Sequence, residues 1–330
     1  MTILQKTVRA AVTAAVLALS AAVAPASAEP TKITIGTGVD PSFSAYYVAK
    51  LAGIFEKNDL NVQLNTGPSG SAMVAFVIQN QIQSAFGAEQ AGIQNFNIDP
   101  NVVVAAEGAL MGQWYGMVAR GYTSIDQLKG KRIGVARGSG SEVFWLAMVE
   151  KLKLNPKDYT IVQVEAPEMI AAMERGNIDA FTSWEPWLTR AVKAIPDTKV
   201  VVNSDGILSP RVYVYVNKGW AEKNKPAAVA FMRSMVEASD LITKDPEAAA
   251  GHVATFLKLD KALTLELVKK VRFDMRLDQG SINNFELQEA QLKGLGKLAK
   301  PVDWKNFVYP DLLKEVKPDA VNYELPKPKS

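Results

Sequence analysis

The fold of this chain is decided by the stretch Lys131-Arg132-Ile133-Gly134-Val135-Ala136-Arg137-Gly138-Ser139-Gly140-Ser141-Glu142. Its apolar residues predict a buried strand over 132–136, and the apolar spacing that follows predicts a helix over 142–154. Ser139, Gly140 and Ser141 then lie where the helix begins, where backbone N–H groups are unpaired and carry a partial positive charge. The turn is therefore a candidate anion site, although an N-cap role for Ser141 explains the same pattern.

Strands alternate with helices along both halves of the sequence. In the first half, strands predicted over 33–36, 60–64 and 82–86 alternate with helices over 44–56 and 72–79. The stretch 133–181 repeats this order. Such alternation predicts two similar α/β units, each with a mainly parallel sheet and helices on both of its faces.

The segments between and after the two units predict how they are joined. Strands predicted over 101–106 and 113–120 lead out of the first unit, and a strand over 211–217 leads back. The sequence is mainly helical from residue 225 onward. Open sheets bind ligands at the carboxyl ends of their strands, so we expect two lobes, joined by two hinge crossings, that share one cleft. Lobe one would comprise 29–119 and 217–330, and lobe two 120–216.

The first 28 residues have the pattern of a cleavable signal peptide. Lys6 and Arg9 precede an apolar run over 10–23, and Ala26-Ser27-Ala28 is a cleavage site. This run is too short, and is followed too soon by proline, to span a membrane. We therefore expect export to the periplasm, with cleavage after Ala28.

Composition excludes several classes of function. The chain has 37 basic and 34 acidic residues, and loss of Lys6 and Arg9 would leave 35 (37 − 2) basic residues. This near balance provides no basic field for nucleic acid. The chain has no cysteine and a single histidine, His252, in a helical stretch. Disulfides and thiolate sites are thus absent, and histidine-based triads or metal sites are not expected. We expect no catalytic residue, metal or cofactor.

Loops at the strand ends supply the candidate ligand-binding residues. Three of them are helix starts made of small residues, which can donate backbone N–H groups to an anion. Two acids stand at matching strand ends, where they would favour a cation or an N–H donor, and two tryptophans provide flat walls. Surface acids and core tryptophans explain these residues equally well. The candidates are Ser42, Phe43, Gly70, Ser71, Glu89, Trp114, Ser139, Gly140, Ser141, Trp184 and Glu185.

Several stretches together resemble the periplasmic solute-binding proteins of nitrate, sulfonate and taurine ABC importers. These are Tyr46–Lys57, Ser69–Ser71, Ile125–Val135, and Gly176–Ala180 leading into Trp184-Glu185-Pro186-Trp187. The resemblance implies a two-lobed, type II-like receptor that closes on its ligand and delivers it to an inner-membrane permease. It also implies ligand contacts by the residues after the first two strands, the Gly/Ser loop of lobe two and the Trp-Glu-Pro loop.

The acids direct the choice of ligand. Sulfonate binders of this kind commonly have aspartate where this chain has Glu185, and Glu89 stands where a small or neutral residue is expected. Two acids near one cleft argue against a bare inorganic anion such as nitrate. We expect a monomer that binds a small amine-bearing zwitterion, with taurine-like sulfonates first. A binder of pyrimidines or other heterocycles, a nitrate binder and an enzyme of the same fold are the alternatives.

Overall fold

The computed structural model describes residues 29–326, so the expected signal peptide lies outside the described residues. The strands are β1 Thr31–Thr37, β2 Leu60–Thr66, β3 Ser84–Gly87, β4 Val102–Met111, β5 Tyr115–Arg120, β6 Arg132–Val135, β7 Thr160–Gln163, β8 Ala180–Trp184, β9 Thr198–Asn203, β10 Arg211–Asn217, β11 Val271–Asp278 and β12 Val321–Asn322.

Helices lie between most of these strands and dominate the last third of the chain. They are α1 Ser44–Leu51, α2 Ile54–Lys57, α3 Gly70–Ile78, α4 Glu89–Ile98, α5 Gly140–Lys151, α6 Met169–Glu174, α7 Trp187–Ala194, α8 Lys218–Lys223, α9 Lys225–Lys244, α10 Pro246–Leu257, α11 Lys261–Lys269, α12 Gln279–Gly294, α13 Trp304–Phe307 and α14 Asp311–Val316. Among residues 29–326, none of the helices combines the length and the apolar character needed to cross a membrane.

The strands form two sheets, which confirms the predicted α/β architecture. The first sheet has the order β12-β11-β4-β10-β3-β1-β2 and the second the order β7-β6-β8-β5-β9. Strands joined by helical crossovers pair in parallel, as β1 does with β2 and β3, and β6 does with β7 and β8. The sheets are mixed rather than mainly parallel as the sequence predicts, because β10 is antiparallel to β3 and β4, and β5 is antiparallel to β8 and β9.

The chain passes between the sheets twice. It leaves the first sheet after Met111 and enters the second at Tyr115, then returns between Asn203 and Arg211. The two connecting segments, 112–114 and 204–210, are joined by a hydrogen bond from Gln113 to Asp205. The sequence predicts the hinge crossings at 118–123 and 211–217, whereas the connecting segments lie a few residues earlier, because β5 belongs to the second sheet and β10 to the first. The expected lobe limits themselves stay predictions.

The core of the first sheet is formed by its central strands. β4 is buried over nearly its whole length, and β10 is buried from Val212 to Asn217. Central strands covered on both faces are continuously apolar rather than alternating. This rigid centre fixes the strand ends from which the loops toward the second sheet project.

Candidate functional site

A small cavity lies where elements of the two sheets meet, and we call it the Asp40 cavity. The loops after β1 and β2, the end of β3, the segment 112–114, the start of α5 and the end of β8 all contribute to it. The residues that line it are Asp40, Ser42, Phe43, Ser69, Gly70, Ser71, Gly87, Ala88, Met111, Trp114, Tyr115, Gly140, Trp184 and Val212.

The lining shows which sequence-predicted residues the fold brings together. Seven of the expected residues line the Asp40 cavity, namely Ser42, Phe43, Gly70, Ser71, Trp114, Gly140 and Trp184. The volume of the cavity is about 30 Å³, which is room for one or two water molecules. A solute of several heavy atoms must therefore enter while the elements around the cavity are apart.

Asp40 is the one acid in this lining, and the sequence analysis did not select it. Its side chain is only 2% exposed, and its Oδ1 accepts hydrogen bonds from the backbone N–H and the hydroxyl of Ser42. Burial raises the pKa of Asp40 from 3.8 to about 7, and the two Ser42 hydrogen bonds and the Trp184 indole offset part of that rise. The carboxyl thus lies near the midpoint of its titration at neutral pH.

Aromatic rings form most of the remaining wall. Phe43, Trp114, Tyr115 and Trp184 are each at most 4% exposed. The indole Nε1 of Trp184 is buried without a hydrogen-bond partner among residues 29–326. It lies close enough to the Asp40 carboxyl to lower the pKa of that group, but it does not meet the geometry of a hydrogen bond to it. A buried N–H without a partner carries a desolvation cost, and a ligand acceptor would remove that cost.

The start of α3 supplies backbone donors to the same cavity. Gly70 and Ser71 are in its first turn, where N–H groups lack partners inside the helix. A Cβ at Gly70 would lie 2.3 Å from the carbonyl oxygen of Phe86 and 2.7 Å from the Phe43 ring. Only glycine allows this close approach of the backbone. The first turn of α3 can therefore accept an anionic or carbonyl group.

Two of the expected serines have structural hydrogen bonds and lie outside the cavity lining. Ser139 is the N-cap of α5, and its hydroxyl donates to Ala136 O at 2.7 Å while it accepts from Ser141 N. The Ser141 hydroxyl donates to Thr182 O at 2.7 Å and accepts from Ala136 N at 3.1 Å. These bonds join α5 to β8 and so fix the position of Gly140.

Glu185 also lies outside the lining, although it directly follows Trp184. Its carboxylate accepts from Thr189 N at 3.1 Å and from Thr189 Oγ1 at 3.0 Å, which caps the first turn of α7. Burial raises its pKa, and the hydrogen bonds from Thr189 lower it. In this arrangement both carboxylate oxygens accept hydrogen bonds from Thr189 of the helix that follows.

Glu89 lies in a second small cavity, which we call the Glu89 cavity. Its side chain is 2% exposed, and Asn284 Nδ2 donates to its Oε1. Burial raises the pKa of Glu89 from 4.5 to about 7. Tyr115 lines both cavities.

Neither cavity has the residues of a metal centre. Within residues 29–326, no group of three or more histidine, aspartate or glutamate side chains is placed to hold a metal ion. His252 lies in α10 and lines neither cavity.

Two mixed sheets around a shared cavity define the class of periplasmic-binding-protein folds. Comparison with protein families then identifies the family within this class. A model of the NMT1-like family matches residues 26–257, and the chain therefore belongs to this family.

Known proteins similar to this chain include several binding proteins. A binding protein of Brucella abortus is 28% identical over 58% of this chain and 63% of its own length, so the match spans less than two thirds of that relative. The taurine-binding periplasmic protein of Escherichia coli is 31% identical over 40% of this chain and 41% of its own.

Solved structures show the same fold at low sequence identity. The alkanesulfonate-binding protein SsuA of Xanthomonas axonopodis pv. citri, bound to MOPS, has a TM-score of 0.74 and 17% identity, and the match covers 86% of this chain and 100% of that one. The desulfurization enzyme DSZB has a TM-score of 0.67 and 16% identity, with 88% and 99% covered. The fold is thus shared by binding proteins and by an enzyme.

Proposed function

We propose that this protein is the solute-binding component of an ABC importer and captures a small zwitterionic solute in the Asp40 cavity. The carrying observation is the pairing of a buried carboxyl with a helix start in one aromatic-walled cavity. Asp40 would bind an ammonium or N–H group, and the first turn of α3 an anionic group. A taurine-like sulfonate has both groups. We propose a periplasmic location, a monomeric state and delivery to an inner-membrane permease.

The charges of the lining argue against a bare anion. Lysine, arginine and histidine are absent from the cavity lining in the described part of the chain, whereas Asp40 contributes a carboxyl. An inorganic anion such as nitrate would meet no cation there, and it would meet a negative charge whenever Asp40 is ionised. Ligands that carry a positive group compensate for that charge. The acid that directs ligand choice is thus Asp40 rather than Glu185.

The second candidate ligand is a small aromatic heterocycle. Trp114 and Trp184 supply flat walls, and the unpaired Trp184 N–H lies near the Asp40 carboxyl. A ring edge with adjacent N–H and C=O groups would pair with both. A pyrimidine such as uracil tests this candidate in the same titrations as the sulfonates. Stronger binding of uracil than of taurine would favour it.

An enzymatic role has less support than binding. The chain has no cysteine, and His252 lines neither cavity. A buried carboxyl with a hydrogen-bonded serine suffices for binding. Chemical turnover of a bound solute would contradict the proposal.

Calorimetry with a matched ligand pair tests the proposal. Taurine and 2-hydroxyethanesulfonate differ only in an ammonium against a hydroxyl group, so we expect taurine to bind more tightly. Charge-assisted hydrogen bonds contribute about 1.5–3 kcal/mol. Asp40→Asn should therefore weaken taurine binding by roughly 10- to 100-fold.

The control is Asp126→Asn, which removes an acid that is 78% exposed and lines neither cavity. We expect this variant to bind taurine like the unmodified protein. Equal affinity of Asp40→Asn and Asp126→Asn for taurine would contradict the role of Asp40. If the protein bound none of the sulfonates, nitrate, amines and pyrimidines tested, that result would contradict the proposed ligand class.

A further inference from the structure

The Glu89 cavity shares one feature with the Asp40 cavity: elements that pack on both sheets enclose it. Glu89 begins α4, and Gln288 lies on α12, both of which pack on the first sheet. Val143 and Ala147 lie on α5, which packs on the second sheet, and Leu208 lies in the connecting segment 204–210. A guest in this cavity would therefore contact both halves of the molecule.

Two buried oxygen acceptors line this cavity. Gln288 is 3% exposed, and its Oε1 has no hydrogen-bond partner among residues 29–326. Glu89 is 2% exposed and receives one side-chain hydrogen bond, from Asn284. A buried acceptor without a donor is costly. A guest with several N–H donors would satisfy both oxygens.

The arginine that lines the Glu89 cavity already has its own partner. Arg211 lines the same cavity, but its guanidinium is bonded to Glu107, which is 1% exposed and also accepts from Ser281 Oγ at 2.7 Å. A second carboxylate is also close, since Asp278 Oδ1 lies 4.0 Å from Arg211 Nη1. Glu107 also lies 3.6 Å from Arg272. Burial is the main cause of the raised pKa of Glu89, and the charge of Arg211 offsets only part of that rise.

The cavity is narrow and has an apolar wall. Its volume is about 10 Å³, about the room of one water molecule. Val143, Ala147 and Leu208 would contact an alkyl stem, and the acceptors lie beside them. In this structure the space admits no more than an ammonium head, so an alkyl stem can lie along the apolar wall only when the two halves are further apart.

We propose that the Glu89 cavity is a second subsite that binds an alkylammonium group through Glu89 and Gln288. This extends the proposed function, on which it rests, to solutes long enough to reach past Tyr115, the wall shared by the two cavities. Such a solute would place one end at Asp40 and its amine end at Glu89. Tyr115 and its close neighbour Gly140 would then separate the two ends.

n-Butylammonium chloride is the probe for this subsite, and n-butanol is its uncharged counterpart. Calorimetric titration should show saturable binding of n-butylammonium and none of n-butanol. Glu89→Gln should weaken that binding at least about tenfold, and the exposed control Glu247→Gln should not. Asp40→Asn should retain it, which separates this inference from the Asp40-dependent binding of taurine.

A second variant keeps the test decisive if Glu89→Gln folds poorly. Ala147→Leu adds volume to the apolar wall without a change in charge, and we expect it to weaken n-butylammonium binding as well. Three results would overturn the inference: no binding to the unmodified protein, equal binding by Glu89→Gln and Glu247→Gln, or loss of binding in Asp40→Asn alone. The last result would place the amine in the Asp40 cavity only.

Discussion

At the scale of single residues, Asp40 supplies the buried carboxyl in the lining of the Asp40 cavity. It ends the turn after β1, and its bonds to Ser42 begin the short 3-10 helix Pro41–Phe43. An N-cap aspartate has the same sequence pattern whether it is exposed or buried. Its burial depends on Trp114 and Trp184, which come from distant parts of the chain, as well as on the nearby Phe43. The sequence therefore predicts the turn but not the cavity-facing carboxyl.

The serines show a second limit of sequence-based prediction. A Gly/Ser helix start predicts both an N-cap and an anion site, and the fold uses the two starts differently. Gly70 and Ser71 line the Asp40 cavity, whereas Ser139 and Ser141 face α5 and β8. The difference lies in tertiary hydrogen bonds, which local sequence does not specify. Gly140 alone of its turn reaches the cavity.

Ser141→Ala tests that division of roles. The change leaves Ala136 N and Thr182 O without the hydroxyl that bonds both, so we expect a loss of about 1–3 kcal/mol of unfolding free energy. Taurine affinity should change less than about twofold below the unfolding temperature. Urea unfolding and calorimetry measure the two effects. Loss of taurine binding in a fully folded Ser141→Ala protein would assign Ser141 to the site instead.

At the scale of elements, the local sequence pattern predicts the strand–helix units of the first part of the chain, but it does not predict the strand β11 near the end. The strands and helices up to α3 lie close to their predicted ranges, because each alternation of apolar runs and turns is local. The exception is the helix predicted over 44–56, which is broken into α1 and α2 where Gly53 takes a left-handed conformation. β11, Val271–Asp278, was not predicted within the helical last third. Buried residues alternate along it with exposed or half-buried ones. It pairs with β4, which lies more than 150 residues earlier in the sequence. Its position depends on that distant partner.

Helices α5 and α12 connect the two halves of the molecule across the cleft. Lys297, just after α12, forms an ion pair with Glu142 of α5 at 2.6 Å, and Gln291 donates to Glu150 at 2.8 Å. The other carboxylate oxygen of Glu142 accepts from Gly138 N at 2.9 Å. The ion pair thus links α12 to the turn before Gly140. We expect it to favour the closed arrangement.

Lys297→Met tests this contribution. A partly buried ion pair of this kind contributes about 1 kcal/mol, so we expect about fivefold weaker taurine binding and a larger radius of gyration without ligand. Small-angle scattering and calorimetry measure the two quantities. Lys57→Met is the control, because it breaks a 2.9 Å pair with Glu237 between α2 and α9, on the first sheet. Identical behaviour of the two variants would contradict a role of Lys297 in closure.

At the scale of the whole molecule, the two sheets and their shared cavity account for how ligand and closure are coupled. A ligand shifts the equilibrium between open and closed forms only through its differential contacts with them. The Asp40 cavity takes Asp40 and Ser71 from the first half and Gly140 and Trp184 from the second. A solute bound as we propose would therefore contact both halves in the closed form and fewer groups in the open one. Rotation about segments 112–114 and 204–210 would relate these forms.

The central claim is that Asp40 meets the positive group of the ligand as a carboxylate. With the cavity closed, burial raises the pKa of Asp40 to about 7, so at pH 6 the closed, ligand-free protein holds this carboxyl mainly protonated. Pairing with an ammonium favours the ionised form, and binding then releases a proton.

Taurine titrations at pH 6, in two buffers of different ionisation enthalpy, measure that proton release most directly. We predict net proton release on taurine binding by the unmodified protein at pH 6, less release at pH 8, and much less release by Asp40→Asn at pH 6. Taurine binding without proton release at pH 6, at equal affinity in the two proteins, would contradict the account.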